Sequence, residues 1–257
     1  MPEHTSFLTH LVLAHIRETL SENAAALGQT FVAHHPVTWH NFEPLATSLM
    51  IALILVLVGL SVRSRLAKAD SAVVPDESLT LRTFVEVFLD YFYTLAKDVM
   101  DAKRAKKYFP LIATSACFVF VANVMALLPG FPIATTSLSI TLGSALVVFI
   151  LFNLYGLKEN GFGYIKHLAG PVWYLAPLVF PIELISLFVR PITLALRLML
   201  NMSVDHLLLG IFMGFLTILV PIPVMILGCI VVLVQTLVFT LLTCIYIGLA
   251  TEHEEHH

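Results

Sequence analysis

The sequence predicts an all-α polytopic membrane protein. Five transmembrane helices and one interfacial amphipathic helix are expected, with the last two spans long and joined as a hairpin. Three observations carry this. The 257-residue chain is 58% hydrophobic and only 12% charged, far from a soluble globular average. Several charge-free tracts approach or exceed the ~20 residues that a helix needs to cross a bilayer. Once those tracts are assigned, no stretch remains for a soluble domain. The net charge of −3 and the lack of a basic block argue against nucleic acid as a partner. Cys117, Cys229 and Cys244 all fall in apolar tracts and are expected as small buried side chains. The opening MPEHTSFLTH has no basic region leading into a short apolar core, so a cleaved signal peptide is not expected.

Residues 1–44 are expected to form an extracytoplasmic segment and residues 45–257 a single helical membrane domain. The first span, 45–62, is charge-free and is followed at once by Arg63, Arg65 and Lys68. Residues 79–96 are apolar too, but Arg82, Glu86 and Asp90 recur at four-residue spacing and Lys97 falls in the same arc. That charged stripe suits a helix lying along the cytoplasmic interface. The second span, 109–128, is interrupted only by Asn123 and ends in the turn sequence LPGFP. The third, 137–157, is followed by Lys158 and Lys166. The fourth runs over about 171–220, the PIP at 221–223 is expected to turn the chain, and 224–250 returns as the fifth. Eleven of the 14 Lys and Arg lie after the first span and before the second, or between the third and fourth. Five spans place those segments on one side, and the positive-inside rule makes that side cytoplasmic. The N-terminus is then outside and the tail TEHEEHH inside.

Arg197 is the energetic anomaly of the fourth span. Its guanidinium stays charged at any workable pH, and at the centre of a lipid-spanning helix it costs from roughly 3 to more than 10 kcal/mol. On a helical wheel measured from Arg197, Ser186 falls at about −20°, Thr193 at about −40° and Arg190 at about +20°. Glu183 and Asn201 both fall at about +40°. The six share an arc of about 80° over about 27 Å of helix. Interhelical hydrogen bonding accounts for Ser186 and Thr193, but not for two arginines and a glutamate. A polar track with one central fixed charge reads as an ion path with an electrostatic barrier in it. Asp205, at about +80°, can join the track toward the outer side; His206 points about 180° away, toward another helix or cavity. Gln235, Thr243 and Tyr246 lie within about 80° of each other on the fifth span and are candidates for the opposing wall.

Other patterns carry less. The tail HEEHH at 253–257 fits the H-E-x-x-H zinc-protease pattern, but has no evident third ligand. No metal site and no cofactor are expected. Gly210 and Gly214 have the G-x-x-x-G spacing of closely packed helices. A cation/proton secondary transporter is the competing class, yet no internal repeat links the two halves of the chain.

The run RPITLALRLMLNMSVDHL, the helix ending LVQTLVFTLLTCIYIGLA and ANVMALLPGFP at 122–132 resemble the a subunit of the F-type ATP synthase, over most of the chain from about Trp39 onward. The resemblance implies a subunit that forms no ATP itself but couples proton flow to rotation. Its implied partners are a ring of c subunits, the b-subunit peripheral stalk and the remaining complex. Arg197 would be the stator arginine facing the carboxylate of each c subunit. Asn201, His206, Gln235 and Asn123 would line the outer half-channel; Glu183, Ser186 and Thr193 the inner one. Two departures stand out. Family members often have an acid where this chain has His206, with a histidine at the position of Gly228, and some have an aspartate at Ala126. Asp205 is expected to supply the missing acid.

Overall fold

The computed structural model describes residues 39–68, 80–127, 135, 137–161, 176–215 and 221–251. Among them are six α-helices and no strand: α1 Trp39–Lys68, α2 Leu81–Val99, α3 Ala102–Leu127, α4 Leu138–Asn160, α5 Ala176–Phe215 and α6 Pro221–Thr251. All but α2 are long and apolar enough to cross a membrane. The expectations for residues 1–38, the LPGFP turn, the start of the fourth span at 171 and its end at 220, and the HEEHH tail lie outside the described residues.

The α3, α4, α5 and α6 helices share one core. Tyr108, Ile112 and Val119 of α3 meet Ala145, Val148 and Phe152 of α4, Leu194 and Leu198 of α5, and Phe239 and Ile247 of α6. Alanines at 105, 116, 122, 126, 145 and 195 are buried. Small side chains let helices approach closely, which matters because lipid supplies no hydrophobic drive for association. Buried threonines of α6 satisfy themselves: Thr236, Thr240, Thr243 and Thr251 each donate to the carbonyl four residues back, at 2.7–2.9 Å. Thr243, a candidate for the polar wall, thus gives its hydroxyl proton to its own helix.

Polar contacts tie the helix ends together at the basic end of the bundle. Lys107 pairs with Glu159 at 2.6 Å and Tyr108 donates to the same carboxylate at 3.1 Å, joining α3 to α4. Asn160 and Arg104 donate to the Ala250 and Gly248 carbonyls of α6 at 3.2 and 3.4 Å. This leaves α5 and α6 braced by the α3–α4 pair. A 40-residue helix such as α5 is about 60 Å long, twice the ~30 Å hydrocarbon thickness.

Several expectations need correcting. The PIP does not turn the chain, because α6 starts at Pro221. In a first turn the missing proline N–H groups have no intrahelical acceptor to lose. Arg82 does not face solvent on α2: it is buried and bonds Glu86 at 2.7 Å. The exposed face of α2 instead carries Phe84, Val87 and Tyr91 beside Asp90. Gly210 makes no close contact with another described helix, as a methyl there would meet no described atom within 4 Å. Cys244 is buried and Cys117 half-buried, but Cys229 is exposed.

Removing the Phe239 ring from this core should cost about 3–5 kcal/mol, read as a lower unfolding midpoint of the purified protein in detergent. Ile230→Ala on the exposed face of α6 should change it by less than about 0.5 kcal/mol.

Candidate functional site

The polar arc of α5 straddles the edge between covered and uncovered helix surface. Leu187, Leu194, Leu198 and Met202 are buried and point the opposite flank into the bundle. Ser186, Thr193 and Arg197 lie on the outward flank and are exposed, whereas Glu183, Arg190, Asn201 and Asp205 lie on the inward flank and are half-buried. The inward residues find partners. Arg190 reaches the Glu183 carboxylate at 3.5 Å and stacks over the Tyr246 ring of α6 at 5.3 Å. Asn201 donates to the Gln235 side-chain carbonyl at 2.8 Å. Arg197 makes no ion pair with any described residue. Thr193 turns its hydroxyl back to the Arg190 carbonyl at 2.9 Å. A difference of only about 20° on the wheel separates a paired arginine from an uncovered one.

The two α5–α6 polar contacts share one antiparallel register. Asn201 lies eleven residues after Arg190, and Tyr246 eleven after Gln235, a rise of about 17 Å on each helix. The same register puts Phe239 of α6, which is 1% exposed, at the level of Arg197. The hairpin is polar at two levels, and at the level between them the Phe239 ring borders the space lined by α1, α3 and α4.

Beyond Asn201, polar atoms without partners remain on α5, α6 and α3. Gln235 is buried with its Nε2 lacking a hydrogen bond, as is one oxygen of Asp205. Asn123 of α3 is wholly buried with both amide atoms unbonded. Asp205 lines two spaces. One is a groove of about 340 Å³ shared with Asn201, Val204, Val234 and Gln235. The other is a cleft of about 20 Å³ shared with His206, Ala126, Leu127 and Gly228, room for one water molecule. His206 thus turns away from Arg197 yet meets Asp205 at the same cleft. Both positions where the chain departs from the family pattern, Ala126 and Gly228, border it. A Cβ on Gly228 would lie 2.6 Å from the Leu127 Cδ1, so the Leu127 side chain occupies the space that a larger residue at 228 would need. Among the described residues no three His, Cys, Asp or Glu could hold a metal ion.

The pairing of Arg190 with Tyr246 is not among the sequence-based expectations, although the equal eleven-residue spacings are readable there. The Asn201–Gln235 bond is directly testable. A double-mutant cycle of Asn201→Ala and Gln235→Ala on unfolding stability should yield a coupling of about 0.6–1.7 kcal/mol, and a coupling of zero would remove the bond from the account.

Comparison with known proteins places the chain. The family described as ATP synthase A chain matches residues 45–248. The chain is 56% identical over 257 residues to the ATP synthase subunit a of Sorangium cellulosum, covering 100% of both proteins. It is 39% identical over 246 residues to ATP synthase subunit a 1 of Syntrophotalea carbinolica, covering 96% of each. Against the ATP synthase subunit a of Bdellovibrio bacteriovorus it is 36% identical over 220 residues, covering 85% of this chain and 96% of that one. With the five apolar helices and the polar hairpin, these matches show that the chain belongs to the family of F-type ATP synthase a subunits.

Proposed function

We propose that this chain is the fixed wall past which a ring of rotor carboxylates turns, with two half-channels delivering and removing the coupling proton. The observation that carries this reading is Arg197. It lies on the uncovered face of α5 among exposed Thr193, Leu200 and Val204, and no described residue neutralises it. A charge held there in lipid requires a counter-ion from outside the chain. A carboxylate on each c subunit supplies it.

The division of the hairpin supports two separate half-channels. On the outer side Asn201, Asp205 and Gln235 line the groove and His206 joins Asp205 at the cleft, while Asn123 is buried one helical turn from the cleft residue Ala126. On the cytoplasmic side Glu183, Ser186, Arg190 and Thr193 continue along α5. The Phe239 level between them interrupts polar contact across the hairpin. The positive-inside rule orients the assembly, with the Lys103–Lys107 end cytoplasmic. The b-subunit stalk would hold this wall stationary in the bacterial inner membrane.

The mechanism follows from where charge is tolerated. A proton entering from outside neutralises a rotor carboxylate, which then turns into lipid without the cost of burying an anion. At the cytoplasmic half-channel the proton leaves, and the carboxylate passes Arg197 as an anion. The guanidinium favours the ionised carboxylate and repels a proton that would cross directly. Each elementary charge crossing 100 mV releases about 2.3 kcal/mol, available as torque.

Arg197→Ala should abolish ATP-driven proton pumping in inverted vesicles while the assembled complex is recovered in normal yield; retained pumping would contradict the reading at its centre. Asp205→Asn should slow pumping several-fold, and unchanged proton-driven ATP synthesis would take Asp205 out of the outer path.

A further inference from the structure

The second arginine of the track, Arg190, poses a problem that Arg197 does not solve. The two lie seven residues apart on α5, about 10.5 Å along the axis, and within about 20° of each other on the wheel. Two bare guanidinium groups so placed, in a low-dielectric setting, would repel each other and offer the rotor carboxylate two competing partners. The structure resolves this by drawing Arg190 toward Glu183, two turns further from Arg197. Glu183 is half-exposed and the contact is long, at 3.5 Å, so the ion pair alone is a weak tether. The second tether is Tyr246, whose ring centroid lies 5.3 Å from the guanidinium carbon. That ring is itself fixed by Phe152 of α4, whose centroid is 5.9 Å away and which is 2% exposed.

We propose that Tyr246 is a positioning residue: its ring face holds Arg190 on Glu183, so that Arg197 stands as the single unpaired cation on the face that meets the rotor. The contact belongs to the aromatic face and not to the phenolic hydroxyl, because attraction arises from the ring quadrupole. This inference rests on the stator reading of Arg197 and adds to it a role for a residue on the other arm of the hairpin.

The test is made in the assembled complex, with ATP-driven proton pumping as readout. Tyr246→Leu should lower the rate roughly 2- to 30-fold, the range that a cation–π contact spans, and Tyr246→Phe should restore most of it. In an Arg190→Gln background Tyr246→Leu should add less than roughly a 2-fold effect, because its target is gone. Should Tyr246→Leu fail to assemble, phenylalanines bearing one, two and three fluorines at position 246 keep the shape while weakening the ring's negative face. Pumping should then fall stepwise with fluorination. A flat fluorine series, or Tyr246→Leu acting fully in the Arg190→Gln background, overturns the proposal. If Arg197→Ala still abolishes pumping in the same preparation, the stator reading survives that failure.

Discussion

A guanidinium cannot shed its charge at any working pH, and hydrocarbon cannot solvate it. The organisation of α5 and its neighbours follows from how the chain answers that constraint at two positions. At Arg190 the answer is internal: a carboxylate two turns away and an aromatic face from the adjoining helix. At Arg197 no described residue answers, and the side chain projects from the uncovered flank. A stable fold leaves such a charge only where something outside the chain completes it. The a-subunit family to which this chain belongs works within a larger membrane complex, and on the reading proposed above the missing counter-charge arrives with assembly, not with folding.

Holding one arginine paired and the next unpaired demands a stiff hairpin. The register of α5 on α6 is set where Asn201 meets Gln235 and where Arg190 meets Tyr246. The helices α3 and α4 brace that hairpin through a core of small and aromatic side chains. The Lys107–Glu159–Tyr108 cluster and the donors from Arg104 and Asn160 secure the basic end. At the opposite end Asp205 and His206 border a cleft large enough for one water, with Leu127 packed against Gly228 at its edge. The end tied by polar contacts and the end holding the cleft thus lie on opposite sides of the Arg197 level.

The spans are legible in the sequence because lipid imposes a length and a polarity that no tertiary contact can override. The polar arc of α5 is legible for a similar reason, since helical geometry alone puts Glu183, Arg190, Arg197 and Asn201 on one stripe. What the wheel cannot supply is the boundary of the buried face. Arg190 and Arg197 are nearly equivalent by angle, and only the placement of α6 distinguishes them. Arg82 departs from expectation for the same reason: the α2 stripe looks solvated by spacing, yet Arg82 turns inward to bond Glu86. The PIP suggests a turn because proline breaks helix interiors, but the first turn of α6 has no N–H bonds for it to break. Gly210 fits a packing motif, although the close approach occurs at Gly228 against Leu127.

The central claim is that the uncovered flank of α5 around Arg197 faces the rotor carboxylate. Disulfide cross-linking in the assembled complex, with Cys117, Cys229 and Cys244 replaced, reads this directly. Thr193→Cys and Leu200→Cys should each cross-link to a cysteine placed beside the rotor carboxylate, while Leu198→Cys, on the buried flank, should not. Cross-links from Leu198→Cys with none from Thr193→Cys or Leu200→Cys would contradict the account.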